Sequence, residues 1–346
     1  MKKAHILVIR FSALGDVAMV VPAVDALAHT YPDVRITVLS REFARPLFEG
    51  LPSNVSFMSA DLKGEHRGVR GLNALFRRLV AKRFTAVADL HDVLRSKYLR
   101  ARFNLANYRV EHINKHRQEK HRLTASRNKQ LEPLPTAFDN YADVFRRLGY
   151  PIGALTYKGC FDDNGEVMQR LPQGTPLIGI APFAAHEGKI YPEPLMTQVI
   201  GRLSRKHPEA RIFLFGGGER ELEVLHRWGE QYSQCVVVVD HLKSLREELV
   251  LMSRLNVMVS MDSANMHLAS LAGVKVVSVW GATHPYAGFM GYGQSTENAV
   301  QLDLPCRPCS IYGNKPCRRG DKACLNNIKP DAIIEKTEHI LSVHTI

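Results

Sequence analysis

Ile6-Leu7-Val8-Ile9-Arg10-Phe11-Ser12-Ala13-Leu14-Gly15-Asp16 passes into a helical apolar spacing through Val17, Val20, Val21, Val24 and Leu27. Four consecutive apolar residues, a turn of small residues ending in an acid, and then a period near 3.6 read as buried strand, tight turn and helix. The second half opens in the same way. Leu177-Ile178-Gly179-Ile180-Ala181-Pro182-Phe183 leads through Ala184, Ala185, His186, Glu187, Gly188 and Lys189 to Tyr191-Pro192 and a helix ending near Ser204. Two strand-turn-helix units, each opening its own half, predict an α/β chain of two Rossmann-like domains with parallel sheets.

Working outward, the strands expected in the first half are His5–Arg10, Arg35–Ser40, Asn54–Met58, Thr85–Leu90 and Tyr108–His112. In the second half they are Leu177–Ala181, Arg211–Phe215, Cys235–Val239, Asn256–Met261 and Val274–Trp280. The turn-rich stretch from Tyr150 to Pro176 separates the two sets. The expected division is therefore an N-terminal domain over 1–165, a C-terminal domain over 166–329, and a closing helix over 330–346 that can pack back on the N-terminal domain or on its neighbour.

The turns carry the chemistry. In open α/β sheets ligands bind beyond the carboxyl ends of strands, which places Ser12, Gly15 and Asp16 at a site. Asp16 suits a base for a hydroxyl and also suits a helix cap, and one carboxylate can do both. A dinucleotide turn would need G-x-G-x-x-G here, and a carboxylate at the helix start would repel pyrophosphate. Lys189 follows a small-residue turn and could hold a diphosphate together with backbone N–H groups, though a solvated lysine reads the same way. Gly216-Gly217-Gly218 admits close approach of a ligand, with Glu219 placed for ribose hydroxyls or simply for a helix start. Asp262 and Ser263 fall at a strand-to-helix corner able to receive phosphate. His267 comes just over a turn later, where a core histidine would also fit.

At 346 residues, 45% hydrophobic and 23% charged, the chain exceeds what one core usually organises and is neither disordered nor fibrous. No apolar run approaches the roughly 20 residues that span a bilayer, and Arg10 interrupts the first one too early for a signal-peptide core; a cytoplasmic protein is expected. The formal charge is +12, yet residues 63–130 alone hold 18 Lys or Arg against 5 Asp or Glu. The whole excess thus lies in one stretch, which predicts an anionic partner unless it is only a set of solvated helices.

Together these turns resemble glycosyltransferase family 9, the lipopolysaccharide heptosyltransferases. The resemblance runs from Ile6 to about Lys329, most specifically in Arg10–Asp16, Lys189 before Tyr191-Pro192, and Asp262–His267 leading into Val276–Gly281. It implies a GT-B architecture with the two domains facing across a cleft, and inverting, metal-independent transfer from ADP-heptose to a lipopolysaccharide-core or related anionic glycolipid. Asp16 would be the base. Lys189, Glu219, Asp262, Ser263 and His267 would bind the donor, and Ser12, Gly15, Arg95 and Ser96 the acceptor. No cofactor is implied beyond the ADP-sugar substrate, and the basic stretch would meet the cytoplasmic face of the inner membrane. Ala184 and Ala185 depart from the hydroxyl residues usual in the family's diphosphate turn, which leaves the donor less well defined than the fold.

Two other readings compete. Ser40-Arg41 at a strand end resembles an NADP-phosphate site, so an NADP-dependent oxidoreductase is the alternative enzyme, weakened by the missing glycine fingerprint. The basic stretch also admits a nucleic-acid-binding protein, although it carries few aromatics and no helix-turn-helix or zinc-finger spacing. Finally, Cys306, Cys309, Cys317 and Cys324 have spacing compatible with structural zinc, against reduced structural thiols; no disulfide framework is expected.

Overall fold

The computed structural model describes residues 4–159 and 161–343. The chain forms two compact units. One takes the chain up to Lys115 together with Pro135–Tyr157. The other takes His116–Leu134 and the chain from Lys158 onward.

The first unit holds a five-stranded parallel sheet made of β1 (His5–Ile9), β2 (Arg35–Ser40), β3 (Val55–Ser59), β4 (Ala86–Asp89) and β5 (Arg109–His112), in the order β3-β2-β1-β4-β5. The second holds β6 (Leu177–Ala181), β7 (Arg211–Leu214), β8 (Cys235–Val237), β9 (Val257–Met261), β10 (Val276–Val279) and β11 (Ala299–Val300), in the order β11-β10-β9-β6-β7-β8. Taken from each unit's own first strand, both follow the doubly wound pattern 3-2-1-4-5, and the second adds the sixth strand. Every β1 residue is buried, as is every β9 residue. Helices on both faces leave such parallel strands no polar side, which is why they read as unbroken apolar runs.

Strand order fixes where chemistry can sit. Chain direction reverses across the sheet between β1 and β4 in the first unit, and between β6 and β9 in the second. At these switch points adjacent strands send their following loops to opposite faces and open a crevice. The residues after β1, β4, β6 and β9 are Arg10–Asp16, Leu90–Asp92, Pro182–Lys189 and Asp262–His267.

The helix Pro330–Val343 buries Ile333, Ile334, Thr337, Ile340 and Leu341. It packs on the helix Glu193–Lys206 and on β9 and β10, so it belongs to the second unit and not to the N-terminal domain allowed for above. Its last expected residues, 344–346, lie outside the described residues. The segment His116–Leu134 also belongs to the second unit, although a boundary near residue 165 assigns it to the first.

Candidate active site

At the switch point of the first sheet, Arg10 is the organising residue. Its buried guanidinium donates through Nε to Ser12 O (2.9 Å) and through Nη1 to Leu90 O (2.7 Å). Its Nη2 lies 2.6 Å from Asp16 Oδ2. One cation thereby ties the end of β1 to the end of β4 and holds the carboxylate of Asp16, whose Oδ2 also accepts from Ala13 N–H (3.2 Å). The Asp16 side chain is 31% exposed, so it is held but accessible. From below, the buried Tyr141 hydroxyl donates to Asp16 O (3.4 Å), and burial pushes its phenol up to about 12.

Beside this turn stands His91. Its Nδ1 accepts from Phe11 N–H (3.4 Å), which leaves Nε2 to carry the proton facing Ser12 Oγ (3.5 Å). Burial, then the Arg10 and Lys115 charges, lower its pKa to about 3. The turn after β4 is closed by the fully buried Asp89, whose Oδ1 accepts from His91 N–H and Asp92 N–H while Arg100 reaches Oδ2 (3.2 Å). Ser12, Gly15 and Asp16 therefore lie together. Arg95 is exposed on the first turn of the helix Leu94–Leu105. Ser96 is fully buried, with its hydroxyl exchanging hydrogen bonds with Val93 N–H and Val93 O. That bonding makes it a helix-end residue instead of a surface for a ligand.

In the second unit, Lys189 Nζ lies 3.0 Å from Asp262 Oδ2, with the two side chains 16% and 5% exposed. The lysine comes from the short 3-10 turn Glu187–Lys189 after β6, and the aspartate from the corner after β9. Backbone packing fixes the lysine turn. Ala282 N–H donates to Gly188 O (2.8 Å), and a Cβ on Gly188 would stand 2.7 Å from Gly313 O. Only glycine allows that approach. Ser263 precedes the helix Ala264–Leu271 in extended conformation and makes no side-chain cap, while its hydroxyl lies 3.3 Å from Ser260 Oγ. His267 is buried on that helix. Glu219 is exposed at the start of the helix Glu219–Gln231, where Glu221 braces the glycine turn by accepting from Gly217 N–H (2.9 Å).

His91, Tyr141 and Arg307 were not singled out from sequence, and Arg10 entered only as the start of the Arg10–Asp16 stretch, with no role of its own. Arg307 is 4% exposed and donates to the carbonyls of Gly281 (2.5 Å), Trp280 (3.2 Å), Thr283 (2.9 Å) and Leu302 and to Gln301 Oε1 (3.0 Å), fastening the loop after β10. A buried arginine looks the same in sequence as a solvated one. The signal available was its place, in Arg10 and Arg307 alike, directly beside a turn otherwise made of apolar or small residues.

The four late cysteines line one cavity of about 270 Å³. Burial raises the thiols of Cys309 and Cys324, the latter to about 11. At Cys317 a burial penalty is outweighed by the N–H groups of Lys322, Arg319 and Gly320, which lower it. Among the described residues no group of three or more His, Cys, Asp or Glu side chains is arranged to hold a metal ion. Cys324 also packs in the core of the second unit with Leu325.

Two doubly wound units, with a seated carboxylate at one switch point and a lysine–aspartate pair at the other, make a GT-B-type architecture. The fold matches that of the Escherichia coli ADP-heptose lps heptosyltransferase II with a TM-score of 0.72 and 18% identity, over 99% of this chain and 100% of that one. Residues 72–317 match glycosyltransferase family 9 (heptosyltransferase). The chain belongs to that family and is a glycosyltransferase. It is 22% identical over 342 residues to lipooligosaccharide heptosyltransferase 2 of Campylobacter jejuni serotype O:6, covering 94% of this chain and 96% of that one. Against the enzyme of the same name from serotype O:2 it is 25% identical over 178 residues, and that match spans 49% of this chain and about half, 53%, of the relative.

Proposed function

We propose that this chain transfers heptose, or a closely related sugar, from an ADP-sugar to a lipopolysaccharide-core or related anionic glycolipid acceptor, with inversion at the anomeric carbon. The Lys189–Asp262 pair beside the uncapped start of the helix Ala264–Leu271 carries this reading. A diphosphate leaving group needs positive charge that is already in place, and an ammonium fixed by a buried carboxylate next to helix N–H groups supplies it without a metal.

In this reading the first unit binds the acceptor through Ser12, Gly15 and Arg95. The second binds the donor through Lys189, Asp262, Ser263, His267 and, at the ribose, Glu219. The acceptor oxygen forms a bond to the anomeric carbon while its proton passes to Asp16. The bond from that carbon to the diphosphate oxygen breaks, and ADP leaves with the electron pair. Arg10 holds the base in place, and His91 holds the turn that carries it. The substrate classes follow from the names of the relatives, and a place at the cytoplasmic face of the inner membrane is part of the same proposal. Among the described residues no helix is long and apolar enough to cross a membrane.

Calorimetric titration with ADP, UDP, GDP and NADP, with and without EDTA, tests the donor half. Selective binding of ADP that persists in EDTA is expected. Preference for another nucleotide, or loss of binding in EDTA, overturns it.

A further inference from the structure

We propose that the cysteine-lined cavity of the second unit is a thiol-oxidation site, where a peroxide oxidises Cys317 and Cys309 closes a disulfide with it, shifting the turn that carries Lys189. The effect on the donor rests on the proposed donor site, whereas the thiol chemistry stands without it.

Cys306, Cys309, Cys317 and Cys324 line one cavity, and their surroundings set them apart from one another. Cys317 is partly exposed, at the start of a turn in which Gly320 and Lys322 both take positive φ, 81° and 45°. Burial raises its thiol, but the N–H groups of Lys322, Arg319 and Gly320 point at the sulfur and lower it overall. Such a nest of backbone donors favours the thiolate, which is the form that reacts. Cys309 differs. Burial, then the charges of Cys306 and Cys317, raise its thiol. A thiolate that solvent can reach beside a neutral thiol that feels its charge is the pairing that peroxide oxidation needs, and a purely structural thiol has no use for the nest.

The Cys317 sulfur attacks one peroxide oxygen, the O–O bond breaks, and hydroxide leaves; the sulfur is then a sulfenic acid. The Cys309 sulfur, giving up its proton, attacks the Cys317 sulfur, the S–O bond breaks, and the oxygen departs with that proton as water. Two thiols and one peroxide become a disulfide and two waters, and a dithiol reductant reverses the change by exchange.

The two cysteines bound a loop that touches the lysine turn. Cys309 N–H donates to Ala282 O (3.0 Å), and Ala282 N–H donates to Gly188 O (2.8 Å). Within the loop, a Cβ on Gly313 would stand 2.6 Å from Lys189 Cγ, so backbone and lysine stem are already in contact. Beyond Cys317, Lys322 Nζ lies 2.8 Å from Glu187 Oε2 in the same turn as Lys189. A disulfide holds its two Cα atoms about 4.4–6.8 Å apart, so closing it ties both ends of this loop and moves Gly313 against the lysine. A second cavity, lined by His186, Glu187 and Gly188 on one side and Cys309 and Cys317 on the other, leaves room for that movement.

The test uses purified full-length protein, reduced with dithiothreitol, freed of it, and given a few equivalents of hydrogen peroxide with no nucleotide present. Alkylation and non-reducing peptide mapping are expected to show a Cys309–Cys317 disulfide that dithiothreitol removes. Cys317→Ser should abolish it, and Cys309→Ser should leave a sulfenic acid on Cys317 that dimedone traps. Oxidised wild type should bind ADP about fivefold more weakly or worse, with dithiothreitol restoring the affinity and Cys317→Ser indifferent to peroxide. Wild type whose thiols all remain open to alkylation after peroxide, a disulfide that excludes Cys317, or elemental analysis showing one metal ion per chain that blocks the four thiols would each overturn the thiol chemistry. An oxidised protein that binds ADP as tightly as the reduced one would overturn the link to the lysine turn. Mapping of the wild type needs neither nucleotide nor variant, so its failure is a separate result from failure of the reduced protein to bind ADP.

Discussion

Single residues carry three expectations. Replacing Asp16 with Ala should lower the transfer rate about 10²- to 10⁴-fold, the usual worth of a positioned base, with donor affinity unchanged; single-turnover kinetics and ADP titration separate the two. Lys189→Met leaves Asp262 buried without its cation, which costs about 3–5 kcal/mol, whereas Lys189→Met/Asp262→Asn should recover much of that loss. Denaturant unfolding of both variants checks it, and a double variant no more stable than the single would mean that the pair does not stabilise the turn. His91 makes the unit sensitive to acid. Buried, it stays neutral to about pH 3, but unfolded it takes up a proton near 6.5. Between these values the unfolded chain binds the extra proton, so stability is complete above about pH 6.5 and falls as the pH drops. The melting temperature should fall between pH 7.5 and 5, and less steeply in His91→Gln; equal slopes would assign the acid sensitivity elsewhere. The places of Asp16, Lys189 and Asp262 beyond the carboxyl ends of apolar strands were legible in sequence, Asp262 directly after β9 and the other two in the segments that follow β1 and β6. His91 was not, since its role comes from Phe11 and Ser12, some 80 residues away.

Among the elements, the strands were legible because a parallel strand covered on both faces is an unbroken apolar run. The misses have physical causes. Val236 to Val239 reads as continuous strand, but the chain leaves the sheet after Val237 and makes a helical turn over Val238–His241. The strand Ala299–Val300 is too short to show any period. The loop after β10 gave no periodic signal at all, yet it supports Gly188 and hence the lysine turn. Its stiffness comes from Arg307. Replacing Arg307 with Ala would leave several carbonyls buried without donors, a loss of about 3–5 kcal/mol by the reasoning for a broken buried charge network. Donor affinity should fall with it while acceptor affinity holds. Chemical denaturation and separate titrations of donor and acceptor would detect this, and equal weakening of both ligands would point to general unfolding.

For the whole molecule, the two-domain reading was legible, but the path of the chain between the units was not. A boundary near residue 165 assumes a single crossing, whereas the chain passes from one unit to the other after Lys115, after Leu134 and after Tyr157. The polar, basic composition of 116–134 hid this. The segment is held to the second unit by Lys129 Nζ donating to Arg307 O (2.8 Å) and Pro308 O (3.0 Å), by Leu134 N–H donating to Tyr286 O (2.9 Å), and by Lys120 over the Phe289 ring. Leu123 is 1% exposed. Burying that side chain is worth about 2 kcal/mol, and hydrogen bonds from a charged donor about as much again. A fragment starting at Lys158 should therefore fold less stably than the same fragment carrying residues 116–134 on a Gly/Ser linker. At about 2–4 °C per kcal/mol for a unit of this size, and after the cost of ordering the linker, the melting temperatures should differ by about 5–10 °C. Equal melting temperatures would mean that the segment rests on the second unit without stabilising it, and that the sequence boundary was adequate for folding.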